Sequence, residues 1–302
     1  MNTAIRLSDV SKQFNGIPAV DGLTLAVPEG SIYGFIGPNG SGKTTTLRMI
    51  MHILLPDTGT IEVLGSADTG AARDRVSYLP EERGLYKKMP VRRLLRYYGQ
   101  LKGRTVAELD PVIDDWMARL GMQGWDAKKV EALSKGMSQK VQFVAAVISQ
   151  PALLILDEPF SGLDPVNAES LKDAVLEMRR RGTTVVFSTH DMTTAEKMCD
   201  RIFMIFRGRK VLDGTLDEIQ SQYGLDTVRV RTAAGAAALD GIPEVRSVND
   251  YGQLQEVQLC ADPQRFLQTL AARTAVYHFE VTRPSLHDIF VRIARPTDEA
   301  AV

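Results

Sequence analysis

The chain of 302 residues carries 36 Lys and Arg against 37 Asp and Glu, so no overall basic field exists to recruit nucleic acid or anionic lipid. Hydrophobic residues at 44% and charged residues at 24% are globular values, which excludes disorder and low complexity. The length exceeds what one core fills well, which predicts a large domain and a smaller one.

Residues 1–4 show no basic segment followed by an apolar one, so no secretory signal is expected and the location expected is cytoplasmic. The apolar runs at 141–148 and 152–156 fall far short of the ~20 residues that span a bilayer. Residues 5–10, 22–27 and 60–64 alternate apolar and polar, as half-exposed antiparallel strands do, and read as a side sheet. Residues 32–36, 153–156, 184–187 and 202–205 are continuous branched apolar runs separated by helical patterns. They read as βα units around a buried, largely parallel sheet.

After the run at 32–36 comes Gly37-Pro38-Asn39-Gly40-Ser41-Gly42-Lys43-Thr44, which fits G-x-x-x-x-G-K-[ST] and opens a helix expected at 44–54. Glycines let backbone N–H groups turn inward around phosphate oxygens, and the helix dipole faces the same anion. Lys43 would reach the β and γ phosphates, Thr44 would put its hydroxyl on Mg²⁺, and Thr45 completes the nucleotide-binding set.

From 90 to 150 strands give way to helical patterns, at 91–102, 111–120 and 138–149, which read as a helical insertion. Its first stretch, 86–98, mixes basic, aromatic and apolar residues. Either it is a solvated helix face, or it is a groove for a cytoplasmic helix of a membrane protein, with acidic lipid nearby. No RNA-binding motif accompanies it, and no nucleic acid partner is expected. The run at 153–156 ends in Asp157 and Glu158, where parallel sheets present functional groups. Asp157 would support the metal, directly or indirectly, and Glu158 would orient or deprotonate the attacking water. His190 follows the run at 184–187 on the same sheet edge, which favours a γ-phosphate contact over a backbone-satisfied helix start.

A hairpin at 201–213 and a short helix at 216–223 precede a change of pattern at Thr227. Strands at 227–231, 244–248, 254–259 and 276–282, with a short helix after the first and a helix at 263–272, give a βαββαβ order that suits a ferredoxin-like module. The expected domains are 1–222 and 225–302. Cys199 and Cys260 are too few and too isolated for a metal cluster or a disulfide framework, and are expected to be reduced.

In chain order, the motifs resemble those of ABC ATPases over roughly residues 4–220. Leu133-Ser134-Lys135-Gly136-Met137 resembles that family's signature, Ser161-Gly162-Leu163-Asp164 its D-loop, and Ser188-Thr189-His190 its switch histidine. Tyr78-Leu79-Pro80-Glu81 stands where the Q-loop belongs, and Phe14 where an aromatic ring stacks on adenine. The resemblance implies an α/β P-loop core with a parallel sheet, an antiparallel side sheet and a helical subdomain, and hydrolysis of ATP with Mg²⁺. It makes Glu158 and His190 catalytic, and Thr44, Asp157 and Glu81 the metal contacts. Ser134, Gly136 and Asp164 would close on nucleotide held by the opposite subunit, giving a head-to-tail, ATP-bound homodimer. A transmembrane permease subunit would hold that dimer at the cytoplasmic face of the cell membrane.

The sequence departs from the family pattern at Lys135 and Met137, where the signature usually reads Gly and Gln, and at Glu81, where most members carry Gln. Lys135 either adds charge near the phosphates or points into solvent. With residues 79–86, these departures resemble a branch serving two-component exporters, sodium-extrusion and drug-efflux subunits among them. Ser285-Leu286-His287-Asp288-Ile289-Phe290 looks like the last helix of that branch's extra C-terminal domain. The competing reading is a soluble ABC ATPase acting on nucleic acid or protein assembly. Neither a second phosphate loop nor sustained heptads appear to support it.

Overall fold

The computed structural model describes residues 2–67, 73–81, 84–223 and 227–294. Glu82 and Arg83 of the expected Q-loop run, residue 225 where the second domain is expected to open, and residues 295–302 lie outside the described residues. The chain divides into two compact units, residues 1–215 and 216–302.

In the first unit the order is β1 (Thr3–Phe14), β2 (Ile17–Pro28), β3 (Ile32–Ile36), α1 (Lys43–Ile50), β4 (Thr58–Val63), β5 (Val76–Leu79), α2 (Val91–Leu101), α3 (Val106–Arg119), α4 (Lys135–Val147), β6 (Leu153–Asp157), α5 (Pro165–Arg180), β7 (Thr184–Thr189), α6 (Met192–Met198), β8 (Arg201–Phe206) and β9 (Arg209–Gly214). A six-stranded sheet runs β5-β6-β7-β3-β8-β9, parallel except for the β8–β9 hairpin at its edge. Every residue of β3, β6 and β7 is buried, which explains why these strands read as unbroken apolar runs. Their side chains alternate between two cores, as the two-residue period of a strand demands. Ile32, Leu154, Leu156, Val185 and Phe187 face the helical insertion, whereas Tyr33, Phe35, Leu153, Ile155 and Val186 face the side sheet and α1. That side sheet, β2-β1-β4, is antiparallel throughout, and β1 alternates buried and exposed positions.

In the helical insertion, α3 begins at Val106, earlier than the 111 expected from the helical pattern. Thr105 and Glu108 cap each other's backbone N–H groups, and Pro111 lies inside the helix. Arg96 grips Asp110 with two hydrogen bonds of 2.7 Å, and Arg92 pairs with Asp114 and Asp126. These two arginines of the basic stretch are therefore spent on tying α2 down. Lys87, Lys88, Arg93, Tyr86 and Tyr97 remain exposed.

The second unit contains α7 (Leu216–Ser221), β10 (Thr227–Thr232), β11 (Val245–Asp250), β12 (Gln255–Leu259), α8 (Pro263–Arg273), β13 (Val276–Thr282) and α9 (Leu286–Ala294). Its antiparallel sheet has the order β11-β12-β10-β13, which follows from the expected βαββαβ sequence. Val228, Val230, Val257 and Leu259 pack under Phe266 and Leu270 of α8. The first connection is a 3₁₀ helix, Gly235–Leu239, rather than a full α-helix. Ser285 and Asp288 cap α9 reciprocally: Asp288 N donates to Ser285 Oγ at 3.2 Å and Ser285 N to Asp288 Oδ2 at 3.0 Å. Among the described residues no helix is long and apolar enough to cross a membrane. The Cys199 and Cys260 thiols are free, and burial pushes that of Cys199 far above the ordinary thiol range.

Candidate active site

The turn from β3 to α1 forms the floor of a cleft of about 350 Å³. Gly37, at φ 157°, has Ile205 O and Ser41 Oγ standing where a Cβ would project, so any larger residue would displace the loop. Lys43 is 5% exposed, and its Nζ donates to Gly37 O at 2.7 Å and to Pro38 O at 3.1 Å. Burial lowers its pKa, against the opposing pull of Glu158, Asp157 and Glu81. Ser41 Oγ is buried without a partner among the described residues, an orphaned hydroxyl that a phosphate oxygen would satisfy. Asn39, Gly40, Gly42, Thr44, Thr45 and Glu81 line the same cleft, with Ala19 of β2.

The facing wall is the end of β6. Asp157 is 1% exposed, and its Oδ1 accepts hydrogen bonds from Ser188 Oγ at 2.6 Å and Thr44 Oγ1 at 3.2 Å. Ser188 Oγ also accepts from Glu158 N at 2.9 Å, so one hydroxyl at the end of β7 fixes both acids. Tyr78 OH donates to Asp157 Oδ2 at 3.3 Å. Its own pKa is pushed up to about 12, first by burial and then by the charge of Asp157. Glu158 adopts φ 48°, an uncommon left-handed conformation for a residue with a side chain, at the point where the chain leaves the sheet. Its carboxylate lies 3.8 Å from Lys43 Nζ and 3.1 Å from His190 Nδ1. An ionised carboxylate only accepts, so Nδ1 carries the hydrogen and Nε2 of the half-exposed imidazole is left toward solvent.

The remaining expected residues lie elsewhere in this chain. Ser134 caps α4, accepting from Met137 N at 3.3 Å, and Asp164 caps α5, accepting from Asn167 N at 3.0 Å. Asn167 lies where the two loops meet. Its Nδ2 donates to Asp164 Oδ2 at 2.6 Å and stands 2.6 Å from where a Cβ on Gly136 would lie. Lys135 is exposed, with its Nζ against Gly162 of the D-loop rather than at Lys43. Phe14 ends β1, is 45% exposed, and has Lys12 Nζ 5.9 Å from its ring centre; it does not line the cleft.

Three contributors went unassigned at the level of sequence: Ser188, Tyr78 and Asn167. Ser188 and Tyr78 sit inside quoted motifs, but only strand pairing reveals that both meet Asp157, since β7 and β5 flank β6. Asn167 carried no signal, being one polar residue in the first turn of a helix.

Comparison with known proteins shows the family. Residues 20–161 match the family described as ABC transporter, and residues 214–294 match the ATP-binding protein DrrA1-3-like C-terminal domain. The chain is 40% identical over 290 residues to the ABC transporter ATP-binding protein YhaQ of Bacillus subtilis (strain 168), covering 95% of this chain and 97% of that protein. It is 32% identical to the daunorubicin/doxorubicin resistance ATP-binding protein DrrA of Streptomyces peucetius, covering 100% of this chain and 98% of that one. A solved ATP-binding subunit of an ABC transporter superposes with a TM-score of 0.69 at 31% identity, over 74% of this chain and 94% of that one.

Proposed function

Because the chain belongs to the family of ABC transporter ATP-binding proteins, hydrolysing ATP to drive transport, we propose that it powers an exporter by closing, with a second copy, on two molecules of ATP. The observation that carries this is the split of the expected residues into two places. Lys43, Thr44, Asp157, Glu158 and His190 form one connected cleft, whereas Ser134, Gly136 and Asp164 cluster at the starts of α4 and α5. The second cluster combines a helix N-terminus with exposed polar groups, a surface suited to phosphate presented by another subunit. The direction of transport follows the drug-resistance relative, which the chain matches end to end. The location proposed is the cytoplasmic face of a membrane, through a permease subunit. If a membrane protein is encoded beside this chain and the two are co-expressed, they should co-purify and ATP turnover should change in the complex; failure to associate would count against the transport reading.

In the cleft, one buried ammonium faces three carboxylates, so a polyphosphate alone would add repulsion. Thr44 Oγ1 and Asp157, 3.2 Å apart, are the oxygen donors that would hold Mg²⁺, with Glu81 on the facing loop. When bound, the ion neutralises charge on the phosphate oxygens. Glu158 takes or orients the proton of the attacking water, and His190 holds that carboxylate in place through Nδ1. Phe14 would meet adenine from the exposed end of β1. If Glu81 contacts the ion, Glu81→Gln raises the Mg²⁺ concentration for half-maximal ATPase by a few fold while metal-free nucleotide affinity holds, as an Mg²⁺ titration would read. An unchanged requirement would turn Glu81 away from the metal.

No expected nucleotide contact lies beyond Leu216, so residues 225–302 are read as an accessory domain that strengthens self-association by raising the effective concentration of the ATPase units. A chain ending at Gln222 is expected to bind ATP as the full chain does and to dimerise more weakly. Equal dimerisation by sedimentation would remove that role.

A further inference from the structure

The sheet of the second unit ends on β13, whose outer side pairs with no strand among the described residues. Such an edge offers a row of free N–H and C=O groups to any chain that can match it, and proteins usually blunt it with charge, proline or a bulge. β13 reads Val276-Tyr277-His278-Phe279-Glu280-Val281-Thr282, with no proline and no lysine. Its pairing with β10 runs in register from Thr227↔Thr282 to Arg231↔His278 and shifts once, at Tyr277, before Thr232↔Val276. Tyr277 is 63% exposed and Val281 44%, so the apolar side chains at the rim are left bare. The opposite edge, β11, carries a register irregularity of the same kind between Val245 and Ser247.

We propose that β13 pairs antiparallel with β13 of a second copy of this chain, in the register that sets Phe279 opposite itself and His278 opposite Glu280. Symmetry limits the choices. Residues opposite each other in a sheet point to the same face, and a two-fold axis normal to the sheet preserves faces, so the strand must be centred on one of its own residues. Centring on His278 would set two histidines face to face, and centring on Glu280 would oppose two carboxylates, which is unfavourable. Centring on Phe279 spans the strand, with Tyr277 at its one register shift. It opposes His278 with Glu280 twice and Tyr277 with Val281 twice, covering the exposed rim. Within one copy His278 Nε2 already lies 3.5 Å from Glu280 Oε2, so the pairing would extend that contact into a four-residue ladder. The sheet would continue through both copies with neither β13 edge exposed.

This names the surface for the self-association role proposed above and rests on that reading of the second unit. The test is sedimentation of the full chain without nucleotide, where the ATP-dependent contact plays no part. The wild type is expected to self-associate. Tyr277→Lys with Val281→Lys, which opposes lysines at two places, raises the dimer dissociation constant by about tenfold or more. His278→Glu weakens the dimer, and adding Glu280→His to it restores the opposition and the affinity. A wild type that stays monomeric at every concentration, or unaltered association in the lysine variant, overturns the proposal. Loss without rescue in the swapped pair overturns the register. If the chain ending at Gln222 loses self-association while the lysine variant keeps it, the accessory role stands and this edge is wrong. Equal association of the truncated chain removes the role itself.

Discussion

Glu158→Gln leaves ATP binding intact and slows hydrolysis by roughly 10²- to 10⁴-fold, the usual contribution of a positioned general base. The amide keeps the size of the side chain and the backbone bond to Ser188, because that bond runs through Glu158 N. It loses the capacity to accept a proton and the full charge that faces Lys43 and His190. Binding without turnover should then hold two copies together, visible as an ATP-dependent dimer by light scattering. His190→Ala should follow the same trend through misplacement of the carboxylate, so the two substitutions together would cost less than the product of their separate effects. Near-wild-type turnover in Glu158→Gln would remove the assigned role.

Lys43→Ala is expected to weaken ATP binding by roughly 100-fold, since one or two charge-assisted hydrogen bonds of about 1.5–3 kcal/mol each are lost. The fold should survive. Burial already disfavours the ammonium, as its lowered pKa shows, so removing it takes away a desolvated charge along with its bonds to Gly37 O and Pro38 O. Equilibrium binding of a fluorescent ATP analogue, alongside a thermal melt, separates the two effects. Retained affinity with an unchanged melt would show that Lys43 does not meet the phosphates.

The order of elements was legible in the sequence because burial on both faces writes a distinct pattern. A parallel strand such as β6 must be apolar at every position, and β1, with one face in water, must alternate. The phosphate loop was legible for a stronger reason: at Gly37 and Gly42 a backbone oxygen stands where a Cβ would project, so only glycine fits there. Helix starts were less legible. Pro111 read as the first residue of a helix that begins at Val106, because a proline near an N-terminus and one inside a helix look alike without the cap that decides between them.

The sequence by itself therefore determined which groups are present for the proposed chemistry: those that would bind phosphate, hold a divalent ion and move a proton. These depend on residue type and on spacing along a single strand, loop or helix. Only the tertiary structure decided how those groups share their bonds. Ser188 serves both acids because β7 lies beside β6, and Tyr78 joins them from β5. Arg92 and Arg96 are paired because α3 turns Asp114 and Asp110 toward them and the loop after it adds Asp126. The signature stands with Asn167 of α5 and apart from Lys43. In each case the deciding contact joins segments far apart in the chain, where local preference and periodicity carry no information and close packing selects the partner.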